Sequence, residues 1–198
     1  MTDYLYSETK GTPGAPLVFT FHGTGGDETQ FHSLAEQLWP GSHVVSPRGD
    51  VSEHGMNRYF RRTGEGVYDM DDLARRRDAM ARFVQDKITE TGAERVVALG
   101  YSNGANIAAA VAFSRPGLFT DVIAMHPLIP WEPAPQPGLA KTRWLITAGE
   151  RDPICPAPLT HALIGYLKAQ NADVQDHWHP GGHELVQSEL HAIQTFQT

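Results

Sequence analysis

The residues of this sequence that are best suited to chemistry are centred on a serine between two glycines. Ser102 lies in Gly-Tyr-Ser-Asn-Gly, residues 100–104, with a valine-rich apolar run before it and an alanine-rich run after it. These flanks predict a buried strand followed by a helix. A serine at such a turn has its hydroxyl exposed above the sheet, where it can attack a carbonyl group. A glycine-rich loop that contains a serine by chance is the alternative, and the two flanking elements disfavour it.

A serine hydroxyl is a weak acid, so it needs a base to accept its proton and a third group to orient that base. Asp152 and His183 are expected to supply these roles, because each follows a predicted strand, as Ser102 does. Loops at the carboxyl ends of parallel strands meet at one edge of a sheet, and the chain order Ser, Asp, His is that of α/β-hydrolase enzymes. Asp152 could instead only begin an Asp-Pro turn. Glu150 is a weaker candidate, since it lies closer to the strand end.

The late histidines allow a second interpretation, a metal site. His177 and His179 alternate at strand spacing and therefore share a face, and His183 follows them after a flexible Pro-Gly-Gly segment. No cysteine or carboxylate triad accompanies these histidines, so we favour His183 as a catalytic base in a site without a metal ion.

The oxygen of a tetrahedral intermediate needs two backbone N–H donors. Asn103 directly follows the candidate nucleophile at the start of the predicted helix, and its amide is expected to be one donor. The other is expected from Thr24, in the His-Gly-Thr-Gly-Gly loop of residues 22–26, which follows an early apolar strand. A flexible glycine turn before a helix is the alternative interpretation of this loop.

Strands and helices alternate along the chain. Joined by short turns, they imply an α/β fold of the α/β-hydrolase type, with a mostly parallel central sheet, helices on both faces and no cap domain. A single domain over residues 1–198 is expected. Strands are predicted at residues 4–6, 17–21, 43–46, 95–99, 119–125, 144–149 and 174–178. Helices are predicted at residues 28–38, 71–91, 105–113 and 157–169, with a last helix that opens at residues 179–184.

Two segments are predicted to form loops beside the site. Residues 48–69 show no convincing period, and the prolines of residues 127–137 make a helical lid implausible. The site is therefore expected to be open. The apolar side chains expected to wall the cleft are Met56, Tyr59, Phe60, Leu128, Ile129 and Trp131. Simple packing beneath the loops is the alternative for each.

The amino-acid composition limits the kinds of binding partner and the cellular compartment that are expected for this protein. With 23 acidic and 16 basic residues, the formal net charge of −7 disfavours a nucleic-acid partner. The single cysteine, Cys155, cannot form an internal disulfide and fits a reducing compartment. Residues 1–10 contain no apolar signal segment, and no early apolar run is long enough to span a membrane. A cytoplasmic protein with a small-molecule partner is therefore expected.

Several segments resemble the phospholipase/carboxylesterase family of small α/β hydrolases, and the resemblance runs through nearly the whole chain. The segments that carry it are residues 22–27, 46–49, 100–106, 152–156 and 182–185. Residues 57–62 and 65–69 are similar to a bacterial subgroup associated with hydroquinone stress. Acyl-protein thioesterases in the same family usually carry glutamine after the nucleophile, where this chain has Asn103. The resemblance implies a carboxylic-ester hydrolase that needs no cofactor and is often a homodimer.

These observations predict a serine carboxylesterase that hydrolyses small esters of short acyl groups through an acyl-enzyme intermediate. A lysophospholipase or acyl-thioester hydrolase is an alternative, and it would need a long apolar groove. A non-catalytic, ligand-binding α/β-hydrolase fold is another, since a fold alone does not prove activity. The intact set of Ser102, Asp152 and His183 with an oxyanion loop argues against it.

Overall fold

The computed structural model describes residues 4–197, and a sheet of seven strands forms its centre. In chain order the strands are β1 (Tyr6–Thr9), β2 (Leu17–Phe21), β3 (His43–Pro47), β4 (Val96–Tyr101), β5 (Asp121–Met125), β6 (Arg143–Gly149) and β7 (Asp173–His179). Across the sheet their order is β1, β3, β2, β4, β5, β6, β7, and every neighbouring pair except β1 with β3 is parallel. The predicted mostly parallel sheet is confirmed. The carboxyl ends of six strands therefore lie at one edge, where the candidate catalytic loops begin.

Helices pack on both faces of the sheet, as predicted. They are α1 (His32–Leu38), α2 (Met70–Thr91), α3 (Asn103–Ser114), α4 (Ala157–Ala169) and α5 (Gln187–Phe196). Side chains of a strand alternate between the faces, so Phe19 packs in the apolar cluster that contains residues of α2, α3 and α4. Its neighbour Val18 packs in the cluster that contains residues of α1 and α5. This alternation gives the sheet an apolar core on each side.

The amino-terminal edge strand lies later than predicted, at β1 rather than at residues 4–6. Tyr4 is buried because its ring packs edge-on against Phe83, with 5.3 Å between the ring centroids. The strand itself pairs antiparallel with β3 through polar residues that include Glu8 and Thr9. A half-exposed edge strand needs no apolar run, which is why its sequence did not indicate it.

Two helices begin later than predicted. Helix α1 starts at His32 instead of residue 28, because the Asp27 carboxylate accepts hydrogen bonds from the amide and hydroxyl of Thr29 and forms a turn. Helix α5 starts at Gln187, after a loop, and the Glu189 carboxylate accepts from the Val186 amide at its first turn. The loop before α5 frees His183 from helical geometry.

The prediction of a long irregular loop for residues 48–69 is wrong. They contain two small hairpins, Val51–Glu53 with Met56–Arg58 and Arg62–Gly64 with Val67–Tyr68. Strands of two or three residues are too short to show a period in the sequence. The hairpins lie between β3 and α2, and they supply one wall of the cavity described below.

No cap domain is present in the described part of the chain, as predicted. Between β5 and β6 the proline-rich segment contains one short 3-10 helix, Pro137–Lys141. Among residues 4–197, no helix has both the length and the apolar character needed to cross a bilayer.

Candidate active site

Ser102 lies at a sharp turn between β4 and α3. Its backbone has φ 53° and ψ −117°, a left-handed conformation that non-glycine residues rarely adopt. The glycines on either side allow the elements to approach closely. A Cβ atom on Gly104 would overlap the carbonyl oxygen of Phe21, and one on Gly100 would crowd the backbone of the first turn of α3. The strained turn exposes the Ser102 side chain at the carboxyl edge of the sheet.

His183 joins the Ser102 hydroxyl to the Asp152 carboxylate. The distance from His183 Nε2 to Ser102 Oγ is 2.9 Å, and that from His183 Nδ1 to Asp152 Oδ2 is 2.7 Å. Because a carboxylate only accepts, Nδ1 carries the proton and Nε2 presents a lone pair to the serine hydroxyl. This tautomer is the one that a general base for Ser102 requires.

The Asp152 carboxylate is buried and fixed. Its Oδ1 accepts from the backbone amides of Ile154 at 2.8 Å and Cys155 at 2.9 Å. Burial opposes the charge, but these amides and the hydrogen bonds from His126 and His183 outweigh burial, so the pKa of Asp152 is lowered. The carboxylate therefore stays ionised near neutral pH. Glu150, the neighbouring candidate, is exposed to solvent.

Thr24 and Asn103 line the same cavity as the Ser102 side chain. Asn103 is the first residue of α3, so its amide has no acceptor within the helix. The Thr24 amide has no hydrogen-bond acceptor among residues 4–197. Neither amide has an acceptor among residues 4–197, and an oxyanion hole needs two such donors that face one site.

The loop of residues 22–26 is braced by a buried histidine that the sequence analysis did not single out. His22 Nδ1 donates to the Gly23 carbonyl at 2.7 Å, and its Nε2 accepts from the Gly49 amide at 2.9 Å. Burial is the main cause that lowers the pKa of His22, so the ring is neutral and can do both. The position of His22 at the start of the His-Gly-Thr-Gly-Gly motif was the sequence feature that could have indicated this bracing role.

Tyr59 braces the same loop and does not border the cavity, contrary to the prediction. Its hydroxyl accepts from the His22 amide at 3.1 Å and donates to the Pro47 carbonyl at 2.8 Å. Its own amide donates to Asn103 Oδ1 at 2.7 Å. Tyr59 thus connects the loop of residues 22–26, the end of β3 and the start of α3.

The cavity beside Ser102 has a volume of about 300 Å³. Of the six predicted wall residues, it includes Met56 and Leu128. Phe60 and Ile129 are buried in the core beneath the loops, which is the alternative considered for them. Trp131 borders separate surface grooves. The residues that line the cavity are Thr24, Met56, Arg58, Arg62, Glu65, Gly66, Tyr68, Tyr101, Ser102, Asn103, Asn106, Leu128, Ile154, Cys155 and His183.

The comparison with known proteins decides the family. A model described as the dienelactone hydrolase family matches residues 51–189. The chain belongs to that family. A Bacillus subtilis protein named hydrolase MhqD is 39% identical to it over 183 residues, which are 91% of this chain and 90% of MhqD.

Two solved structures resemble this dienelactone hydrolase family member throughout. A protein of unknown function from Agrobacterium tumefaciens is 51% identical, with a TM-score of 0.93, and the match covers 98% of this chain and 95% of that one. A carboxylesterase from Bacillus cereus is 35% identical, with a TM-score of 0.90, and the match covers 98% and 93%. The family member described here is a carboxylic-ester hydrolase, and the resemblance to small α/β hydrolases inferred from the motifs is confirmed.

In this family member, Arg58 of the first hairpin and Arg62 of the second also border the cavity. Arg58 is 3% exposed, and its Nη1 donates to Thr24 Oγ1 at 2.7 Å. Arg58 and Arg62 share the Glu53 carboxylate, at 3.2 and 3.0 Å from their Nε atoms. Burial, followed by repulsion from Arg62, lowers the pKa of Arg58. The cluster of arginines at residues 58–62 could have indicated charged residues in the cavity wall, but the sequence analysis did not use it.

His126 is a further candidate functional residue that the sequence analysis did not identify. It follows β5 at the same edge as Ser102, and it lies against Asp152 instead of in the cavity. Among residues 4–197, the metal site considered as the alternative for His177, His179 and His183 is not assembled, since His177 contacts Ser188 while His179 packs near His126. By spacing alone, His126 could join a metal-binding group with His179 and Glu189, or with Asp152 and His183. Its position directly after a strand of the sheet was the signal.

Proposed function

We propose that this protein is a serine esterase that cleaves small carboxylic esters with short acyl groups through an acyl-enzyme intermediate. The observation that carries the proposal is the pair of hydrogen bonds linking Ser102, His183 and Asp152 beside a cavity of about 300 Å³. That combination supplies a nucleophile, a base in the required tautomer and a place for the acyl group.

In the proposed reaction, Ser102 Oγ attacks the ester carbonyl carbon while its proton passes to His183 Nε2. The amides of Thr24 and Asn103 donate to the oxygen that becomes negative. His183 then gives its proton to the leaving alkoxide, and the alcohol departs. Water attacks the acyl-enzyme by the same route in reverse, with His183 as base, and releases the acid and free Ser102.

The size and lining of the cavity support short acyl groups over the lysophospholipase alternative. Each methylene gains about 0.8 kcal/mol only while apolar wall covers it. Met56 and Leu128 supply apolar surface, but Arg58, Arg62 and Glu65 border the same space. A long alkyl chain would meet these charged groups or extend into water.

Arg58 supports a second candidate substrate class, esters whose acyl part carries a carboxylate. Its guanidinium lies in the cavity wall next to the proposed oxyanion loop. A charged donor in a poorly hydrated wall binds a carboxylate with charge-assisted hydrogen bonds. Esters of this class would be cleaved by the same proposed catalytic groups, and they differ from the neutral esters only in the acyl part.

A fluorophosphonate probe tests the mechanism, because it reacts with an activated serine. We expect it to label wild-type protein on Ser102, and we expect Ser102→Ala to lose both labelling and ester hydrolysis with an unchanged circular dichroism spectrum. Folded wild-type protein that neither reacts with the probe nor hydrolyses any member of an ester panel would instead support a ligand-binding role.

A further inference from the structure

His126 is completely buried, and each of its ring nitrogens faces a carboxylate. Nδ1 lies 2.9 Å from Asp152 Oδ2, and Nε2 lies 3.0 Å from Glu189 Oε1. The side chains of the three residues are 0%, 1% and 2% exposed, respectively. Asp152 Oδ2 is therefore shared between His126 and the proposed base His183.

The surrounding donors define the proton positions. Glu189 Oε1 also accepts from the Thr147 hydroxyl at 2.6 Å, and Oε2 accepts from the Val186 amide at 2.7 Å. Asp152 is likewise surrounded by donors. Carboxylates in such settings are ionised, and each ring nitrogen of His126 must then carry a proton. Burial opposes this charge, but the bonds with Glu189 and Asp152 outweigh it and raise the pKa of His126.

The other polar groups described around His126 do not supply a second positive charge to balance the carboxylates of Asp152 and Glu189. His179 Nδ1 accepts from the Gly181 amide at 3.1 Å, which puts the proton of a neutral ring on Nε2, 3.7 Å from Glu189 Oε2. The rings of Tyr101 and His183 lie 5.9 and 5.2 Å from the His126 ring. Asp152 and Glu189 with protonated His126 therefore carry one net negative charge.

The backbone of His126 is also unusual. Its φ is 50°, in the left-handed region, which costs conformational energy for a residue with a side chain. The turn is held because its amide donates to the Thr147 carbonyl at 2.8 Å and its carbonyl accepts from the Cys155 thiol at 3.2 Å. This strained turn places the ring between the two carboxylates.

We propose that His126 is a positioning residue that acts through Asp152, as a fixed imidazolium that Glu189 holds in place. It orients the Asp152 carboxylate toward His183 and offsets part of its negative charge. The positive charge that His183 gains when it accepts the Ser102 proton then faces a partly offset carboxylate, so the loss of His126 should change the pH dependence of the reaction. This inference rests on the proposed serine mechanism.

Nuclear magnetic resonance of the wild-type protein tests the charge without any assay of activity. In protein with ¹⁵N-labelled histidine, we expect the His126 ring to have both nitrogens protonated at about pH 7.5, one unit above the ordinary pKa of histidine. His126→Asn should remove its signals and thereby assign them. A neutral His126 ring at that pH would overturn the proposal, even if Ser102 reacts with fluorophosphonate. Failure of that labelling would instead overturn the serine mechanism.

The pH profile of kcat/KM tests the effect on catalysis. His126→Asn retains an amide donor for Asp152 but removes the positive charge, so the acidic limb should move to higher pH by about one unit. Glu189→Gln removes one of the two carboxylates that hold the proton on His126, so it should move the limb upward by no more than His126→Asn does. His177→Asn is the matched control, since this histidine of β7 contacts Ser188 outside the cluster, and it should leave the limb in place. An unmoved limb in His126→Asn, or an equal rise in His177→Asn, would refute the charge effect.

Discussion

The Tyr101 hydroxyl donates a hydrogen bond of 2.6 Å to the carbonyl of His183, and the two rings lie 5.3 Å apart. Burial, followed by the charge of Asp152, raises the pKa of Tyr101 to about 12, so the hydroxyl keeps its proton. The residue before the proposed nucleophile, Ser102, therefore anchors the loop that carries the proposed base.

Tyr101→Phe should weaken this anchor without removing the ring. A hydrogen bond of this kind contributes about 1 kcal/mol, so kcat/KM should fall about fivefold if the loss is felt in the transition state. Steady-state kinetics on a p-nitrophenyl ester measures it. Tyr166→Phe, which removes a tyrosine hydroxyl bonded to the Ala134 carbonyl away from the cavity, is the control. Equal rates in wild type and Tyr101→Phe would contradict the anchoring role.

Removal of the proposed base or its orienting group should be far more damaging. His183→Ala and Asp152→Asn should each lower kcat by orders of magnitude, on the order of 10⁴ for the Asp152 change, because the tautomer of His183 is no longer fixed. His177→Ala should cost little, and added chelator should not inhibit. Inhibition by chelator, or full activity in Asp152→Asn, would contradict the proposed mechanism.

Acyl-chain preference follows from the cavity. With p-nitrophenyl esters, kcat/KM should peak between acetate and butyrate and fall for decanoate. Leu128→Ala should shift the optimum to longer chains, because the shorter side chain enlarges the cavity. Trp131→Ala is the control, since Trp131 borders other grooves, and it should leave the profile unchanged. A rise through palmitate would favour the lysophospholipase or thioesterase alternative.

Arg58 provides a separate test of the second substrate class. Arg58→Gln should lower kcat/KM for a monoester of a dicarboxylic acid about tenfold more than for a neutral ester of the same length, since one charge-assisted hydrogen bond is lost. Arg82→Gln, at an exposed position of α2, should affect neither. An equal loss on both esters would indicate that Arg58 only supports the loop.

His126 should also make stability depend on pH. Its pKa is raised in the folded protein, where hydrogen bonds with Glu189 and Asp152 outweigh burial, relative to about 6.5 in the unfolded chain. The resulting stabilisation is complete below the unfolded pKa and is lost as pH rises through the folded pKa. His126→Asn should therefore lower the free energy of unfolding more at about pH 6 than at about pH 9 in urea titrations. A larger loss at the higher pH would contradict this sign.

The sequence predicted the parts of this molecule that depend on local pattern. The apolar runs of β2 and β6, and helix α2 with its left-handed Gly92, have clear periodic or capping signals. The Ser102 turn was predictable because glycines at both flanks are a steric requirement. The order of the strands then indicated that Asp152 and His183 would reach it.

What the sequence did not predict depends on contacts between distant segments. Tyr59 and Arg58 are adjacent, yet Tyr59 braces the loop of residues 22–26 and Arg58 borders the cavity, and no local pattern distinguishes these environments. The pairing of His126 with Glu189 joins residues 63 positions apart. Such polar contacts are decided by the packed fold, not by periodicity.

The two hairpins between β3 and α2 lie apart in the chain from the loops that carry Ser102, Asp152 and His183. Evolution can therefore alter the cavity wall by exchanging one short segment, while the loops that carry Ser102 and His183 stay constant. The exchange is constrained at two points. Asn57 accepts from the Gly25 amide through its carbonyl, and Tyr59 donates to Asn103, so a grafted segment must preserve both contacts to keep the loop of residues 22–26 in place.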